Sequence, residues 1–102
     1  MGGLISYPFQ QRGAIINFNT TILSGMYLIS DSSSTVIGKP ENITYGFAII
    51  GNVPRSSTEV YYIQMAFSLF GNREFYVRAG TVNPNEVDLS DVTWGRVNPV
   101  YE

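Results

Sequence analysis

The chain has 102 residues and a net charge of −2, with 44% hydrophobic and only 14% charged side chains. It is long enough to bury a core unaided, while its charged fraction falls well short of the ~25% of an average globular protein. The six Lys and Arg are scattered, so the basic stripe that displaces counterions from nucleic acid is missing. Neither cysteine nor histidine occurs, which excludes a disulfide framework and thiolate metal sites and removes the commonest general base and zinc ligand. An enzyme is accordingly not expected, and no cofactor or metal is implied. No run approaches the ~18 apolar residues of a membrane span, so membrane insertion is not expected. The opening MGGLIS matches the loose N-myristoylation pattern at Gly2 and Ser6, but no polybasic patch follows to make one acyl chain an anchor.

Seven Tyr and six Phe, many β-branched residues and Gly, Asn, Pro or Ser every ten or so positions predict an all-β domain, a small antiparallel β-sandwich or jelly-roll-like fold. Residues 1–12 are expected as a lead-in, with 4–9 as a possible edge strand, and residues 13–102 as one domain. The predicted strands are 14–18, 25–30, 44–51, 59–69, 74–80 and part of 93–101. The clearest is EVYYIQMAFSL, where Tyr61, Ile63, Met65, Phe67 and Leu69 alternate with Gln64, Ala66 and Ser68. Its neighbour REFYVRAG alternates too. A three-residue loop of Gly71, Asn72 and Arg73 pairs Leu69 with Phe75, Phe67 with Val77 and Met65 with Ala79. That keeps one face apolar, and this face is expected to be the core. Tyr62, Gln64, Tyr76 and Arg78 then share the other face, either a shallow recognition surface or a subunit contact. Three longer loops, 30–42, 51–58 and 81–91, are polar and rich in small residues, the places where small β scaffolds carry contacts.

Isolated motifs are weaker. Glu86, Asp88 and Asp91 could offer oxygens to calcium, but they match no EF-hand spacing and read as a solvated loop with a capped turn. NTT at 19–21 and NIT at 42–44 match the N-glycosylation pattern and read as ordinary turn and strand-edge residues. Trp94 either closes the core or offers a stacking platform for a sugar ring. Arg78 is commonly the kind of residue held by carboxylates or backbone carbonyls when partly buried.

Three stretches, with a fourth following them, resemble the knob module of bacteriophage and R-type pyocin tail fibres and tailspikes. NFNTTILSGMY resembles that family's approach to a Gly-x-Tyr strand, with Phe18, Asn19, Gly25 and Tyr27 at the matching positions. Gln64 in YYIQMAF sits at its strand glutamine, Tyr76 and Arg78 in FYVRAG at its Tyr-x-Arg, and TWGRV at its closing Trp segment. The order covers residues 17–97. The resemblance implies a homotrimeric module on the virion, made in bacterial cytoplasm, that assists attachment to a bacterial surface polysaccharide. Contacts to the glycan would come from Tyr62, Gln64, Tyr76, Arg78 and Trp94. Two alternatives stay open: a carbohydrate-binding accessory module of a polysaccharide depolymerase, and a purely structural trimerisation or spacer domain.

Overall fold

A computed structural model describes residues 10–30, 35–70 and 74–97. The protein is all-β, as its alternation requires. Six strands, β1 (Gln11–Ala14), β2 (Gly25–Ser30), β3 (Tyr45–Pro54), β4 (Val60–Ser68), β5 (Phe75–Val82) and β6 (Gly95–Val97), follow one another across a single sheet in chain order. All neighbours are antiparallel except β1 and β2, which are parallel. Consecutive antiparallel neighbours need only short returns, and the three central strands are also the longest β-branched and aromatic runs.

Four predicted strands stand within a few residues of their expected limits, and two differ. The expected strand at 14–18 is displaced, because the first strand runs from Gln11 to Ala14. There Gly13, at φ 81°, absorbs a register shift between the Gln11↔Met26 and Ala14↔Leu28 pairings. Ile15 N–H still donates to Leu28 O of β2 at 2.9 Å; residues 16–18 then leave the sheet and meet the 35–38 loop. Phe18 N–H donates to Ile37 O at 2.8 Å and Ile37 N–H to Ile16 O at 2.9 Å. The last strand is short, Gly95–Val97. The 4–9 segment and the residues after 97 lie outside the described residues.

The larger correction concerns which face is inside. Tyr62, Gln64, Ala66, Tyr76 and Arg78 are buried, whereas Ile63, Val77 and Phe75 on the opposite face are half-buried or exposed and Ala79 is exposed. The core is closed by loops rather than by a second set of described strands. Ile15, Phe18, Val36 and Ile43 from the loops pack on Ile29, Ala48, Ile50 and Ala66 from the sheet. The β4–β5 register is also offset from the expected one. Phe67 pairs with Phe75, Met65 with Val77 and Gln64 with Arg78. The division of residues between the two faces is unchanged, since the offset is two residues and side chains alternate with period two.

Backbone packing is tightest where β3 enters the hairpin. A Cβ on Gly46, which pairs with Ser68, would fall on the carbonyl oxygen of Phe67, well inside contact distance. Gly46→Ala is therefore expected to force β3 and β4 apart at a cost of about 1–3 kcal/mol, read as a melting temperature lowered by ~5–15 °C. An unchanged melting curve would contradict this close approach.

Candidate functional site

The buried face of β4 and β5 presents a glutamine and an arginine directly opposite each other. Gln64 is 0% and Arg78 5% exposed, a costly burial for an amide and a cation unless every polar atom is paired. Pairing is complete. Arg78 Nε donates to Gln64 Oε1 at 2.7 Å, Nη1 to Leu89 O at 3.1 Å and Val92 O at 2.9 Å, and Nη2 to Phe18 O at 3.1 Å and Asn19 Oδ1 at 3.2 Å. These use all five guanidinium N–H groups. Gln64 Nε2 donates to Phe18 O and Thr21 O, each at 2.7 Å. Among the described residues no buried side-chain nitrogen or oxygen lacks a partner.

The Arg78 charge is met by oriented dipoles and a π face. Trp94 lies with its ring centroid 4.4 Å from the guanidinium carbon, within cation–π range. It crosses Phe18 edge to face at 5.4 Å and donates from Nε1 to Gly38 O at 2.9 Å. Burial pulls the Arg78 pKa below its ordinary value, with nearby Tyr62 acting in the opposite direction. A guanidinium begins so high that it remains a cation at neutral pH.

Each expected ligand residue therefore has a definite place. Gln64 and Arg78 are sealed beneath the loops and have no surface to offer a glycan, so they are corrected from recognition groups to braces of the fold. Tyr62 and Tyr76 are buried on the same face, and the Tyr76 hydroxyl accepts from Asn42 Nδ2 at 3.3 Å. Trp94 is partly buried and packs against the core, closing it beside Phe18. The physical reason is common to all five. All five add apolar bodies to the core, and the polar atoms of Gln64, Arg78 and Trp94 find loop carbonyls while Tyr76 meets the Asn42 amide, so burying them costs little. The loop partners are the Phe18, Thr21, Leu89 and Val92 carbonyls and the Asn19 side chain. Phe18 and Asn19 were marked only by the family resemblance, and nothing in the sequence marked Thr21, Leu89 or Val92 as partners of Arg78 and Gln64.

A solvent-facing site adjoins this node. A cleft of about 520 Å³ is lined by Arg12, Thr20, Thr21, Leu23, Tyr27, Pro84 and Val87, among others. Arg12 Nε donates to Ser24 O at 3.0 Å, and Thr21 Oγ1 donates to Asn17 O at 2.6 Å. The Tyr27 hydroxyl donates to Leu23 O at 2.6 Å. Burial raises the Tyr27 pKa and Arg12 partly opposes the rise. Because the folded value lies above the unfolded ~10, Tyr27 contributes stability that is fully present below ~pH 10 and lost as pH rises through the folded value. The urea midpoint is expected to fall more steeply between neutral and strongly alkaline pH in the wild type than in Tyr27→Phe. Equal slopes would count against it.

Among the described residues no three His, Cys, Asp or Glu side chains gather to hold a metal. Asp88 instead accepts the Ser90 N–H at 3.0 Å, and its carboxyl titrates below the usual range because Ser90 donates to it from hydroxyl and backbone. No family model, curated protein or solved structure matches the chain.

Proposed function

We propose that the chain is a non-enzymatic knob module of a phage tail fibre or tailspike, carried on the virion as a trimer, that helps the particle attach to a bacterial surface polysaccharide. One observation supports this reading above others. The residues that carry the family resemblance come from separate stretches of the chain, yet five of them meet: Phe18, Asn19, Gln64 and Arg78 in one hydrogen-bonded node, with Trp94 against the guanidinium. Residues that match a motif by chance have no reason to touch one another. As a brace, the node fixes the 18–21 and 89–92 segments, and Thr20 and Thr21 of the first border the cleft.

Glycan contact then falls to the cleft rather than to the buried strand residues. Arg12, Thr20 and Thr21 bring donors and acceptors, while Leu23, Pro84 and Val87 bring apolar walls. That mixture suits a sugar, which offers hydroxyls on its edges and C–H surface on its faces.

The test is retention of the isolated chain on immobilised surface polysaccharides from a bacterial panel, with Arg12→Ala as the contact variant. Retention that Arg12→Ala abolishes, with melting changed by only a few degrees, is the expected result. A folded chain retained by none of them would favour the architectural spacer, and release of oligosaccharides would reveal an enzyme. The depolymerase-accessory reading shares the cleft but predicts a monomer.

A further inference from the structure

The second face of the sheet is unusual for its lack of charge. The strand registers place Leu28, Phe47, Phe67, Phe75 and Val97 in one row across the sheet, and Met26, Ile49, Met65, Val77 and Gly95 in the next. No strand position on this face is charged. Several of its side chains are open to solvent, with Leu28 54% and Val53 63% exposed. The buried residues of the described loops belong to the core on the opposite face.

The face also has relief. Phe47, Phe67 and Phe75 stack into a ridge, with successive ring centroids 4.7 and 5.1 Å apart. Four residues further along each strand, about 13 Å away, Gly51, Ile63 and Ala79 form a parallel row, low at Gly51 and Ala79, which carry little or no side chain, and open as a trough at its Gly51 end. Val53 and Tyr61 wall the trough beyond Gly51 and help line a depression of about 350 Å³. At the rim, Arg55 pairs with Glu59 and reaches over the Tyr61 ring.

We propose that this face is where copies of the chain meet, the aromatic ridge of one seated in the trough of the next. Three features select a second copy as the occupant. Five strands at ~4.8 Å spacing and about seven residues at ~3.4 Å give roughly 500–600 Å² before side-chain relief is counted. That lies at the top of what a monomer leaves exposed and, with relief, approaches the ~800 Å² each partner gives to a stable interface. The chain is net negative but has no charged strand position on this face, and the Arg55 and Glu59 at its rim pair with each other, so two copies approach here without unpaired like charges in contact. Ridge and trough also lie on opposite halves of the same face, so any second copy brings the complementary shape. Repeating a ridge-into-trough contact around an axis parallel to the ridge closes a ring, in which each sheet touches one neighbour with each half. The number three rests on the proposed fibre function; the interface rests on this face.

The solution mass of the 102-residue chain should be followed by light scattering and sedimentation up to about 100 μM. Wild type would be compared with Gly51→Phe, which fills the trough, and Val53→Glu, which charges its wall. The expected result is a trimer whose dissociation constant each variant raises at least ~30-fold, with unchanged circular dichroism. A variant that misfolds is replaced by the pair Phe67→Cys and Ile63→Cys in one otherwise cysteine-free chain. These positions are too far apart for an internal bridge, so oxidation is expected to link copies in the double variant and in neither single one. A trimer untouched by the variants, or cross-linked by Phe67→Cys alone, overturns this interface and leaves the fibre reading standing. A dimer that the variants dissociate keeps the interface and overturns the fibre reading. A monomer throughout overturns both.

Discussion

Alanine in place of Arg78 is expected to cost the fold about 3–5 kcal/mol, a large share of the ~5–15 kcal/mol that holds a domain of this size together. The side chain ends five hydrogen bonds, three of them on carbonyl oxygens from residues 18, 89 and 92. Phe18 O keeps the Gln64 amide and Leu89 O keeps the Val92 N–H, but Val92 O, Gln64 Oε1 and Asn19 Oδ1 lose the Arg78 donor; each buried acceptor left unpaired costs ~1–3 kcal/mol, and water entering the vacated space returns part of that. The packing of the guanidinium against Trp94 is lost as well. Arg78→Lys is expected to recover little, because an ammonium is a compact charge with three donors and cannot span acceptors that lie around a planar fork. Thermal melting should show a fall of ~12–30 °C for Arg78→Ala. A fall of only a degree or two would mean that the carbonyls find other donors and that the node is not what positions the loops. Since those loops border the cleft, loss of glycan retention in this variant would follow from their release; only cleft variants such as Arg12→Ala test recognition itself.

The strand pattern was legible because period-two alternation and the Gly, Asn and Pro breaks are local properties of the chain. The sequence reading placed 25–30 as a strand with the limits the structure shows, and the strands at 44–51, 59–69 and 74–80 nearly so. The choice of inner face was not legible for a reason rooted in the same residues. Phe67, Met65, Phe75 and Val77 form the more apolar side, so hydrophobicity alone turns them inward. What reverses the choice is that Gln64 and Arg78 are fully paired. Most of their partners are backbone carbonyls, which every residue possesses and no sequence pattern marks. The apolar side is left outward, consistent with a surface that another chain covers.

The candidate site divides in the same way. Gln64, Arg78 and Trp94 were singled out from strand positions and residue type, and the structure brings them together. Trp94 takes the core-closing one of its two expected roles, and Arg78 is held by backbone carbonyls; that their face turns inward was not legible, because loop residues 18–21 and 89–92 close over it and loops without periodicity give no warning of where they pack. The cleft was missed altogether. Arg12, Thr20 and Tyr27 lie on β1, a loop and β2, and only the parallel pairing of β1 with β2 brings Arg12 alongside Tyr27. The displaced first strand hid that juxtaposition.

Gln64 provides the sharper test of the node because it donates and accepts at once. Gln64→Leu keeps the volume but strips the amide donor from Thr21 O, leaves Phe18 O with Arg78 alone of its two side-chain donors among the described residues and leaves Arg78 Nε without its acceptor. The expected cost is about 2–4 kcal/mol. Gln64→Glu, which simple charge pairing with Arg78 would favour, is expected to do no better. A carboxylate gains the cation but loses both amide donors, and its second oxygen would face the Phe18 and Thr21 carbonyls. The double variant Gln64→Leu, Arg78→Met then separates a coupled node from two independent braces. With both polar groups gone, neither leaves the other orphaned, so the combined loss should fall short of the sum of the single losses by ~1–3 kcal/mol. Urea unfolding of the wild type, both single variants and the double measures that coupling. Strict additivity would show that Gln64 and Arg78 hold their loops separately, despite the 2.7 Å hydrogen bond between them.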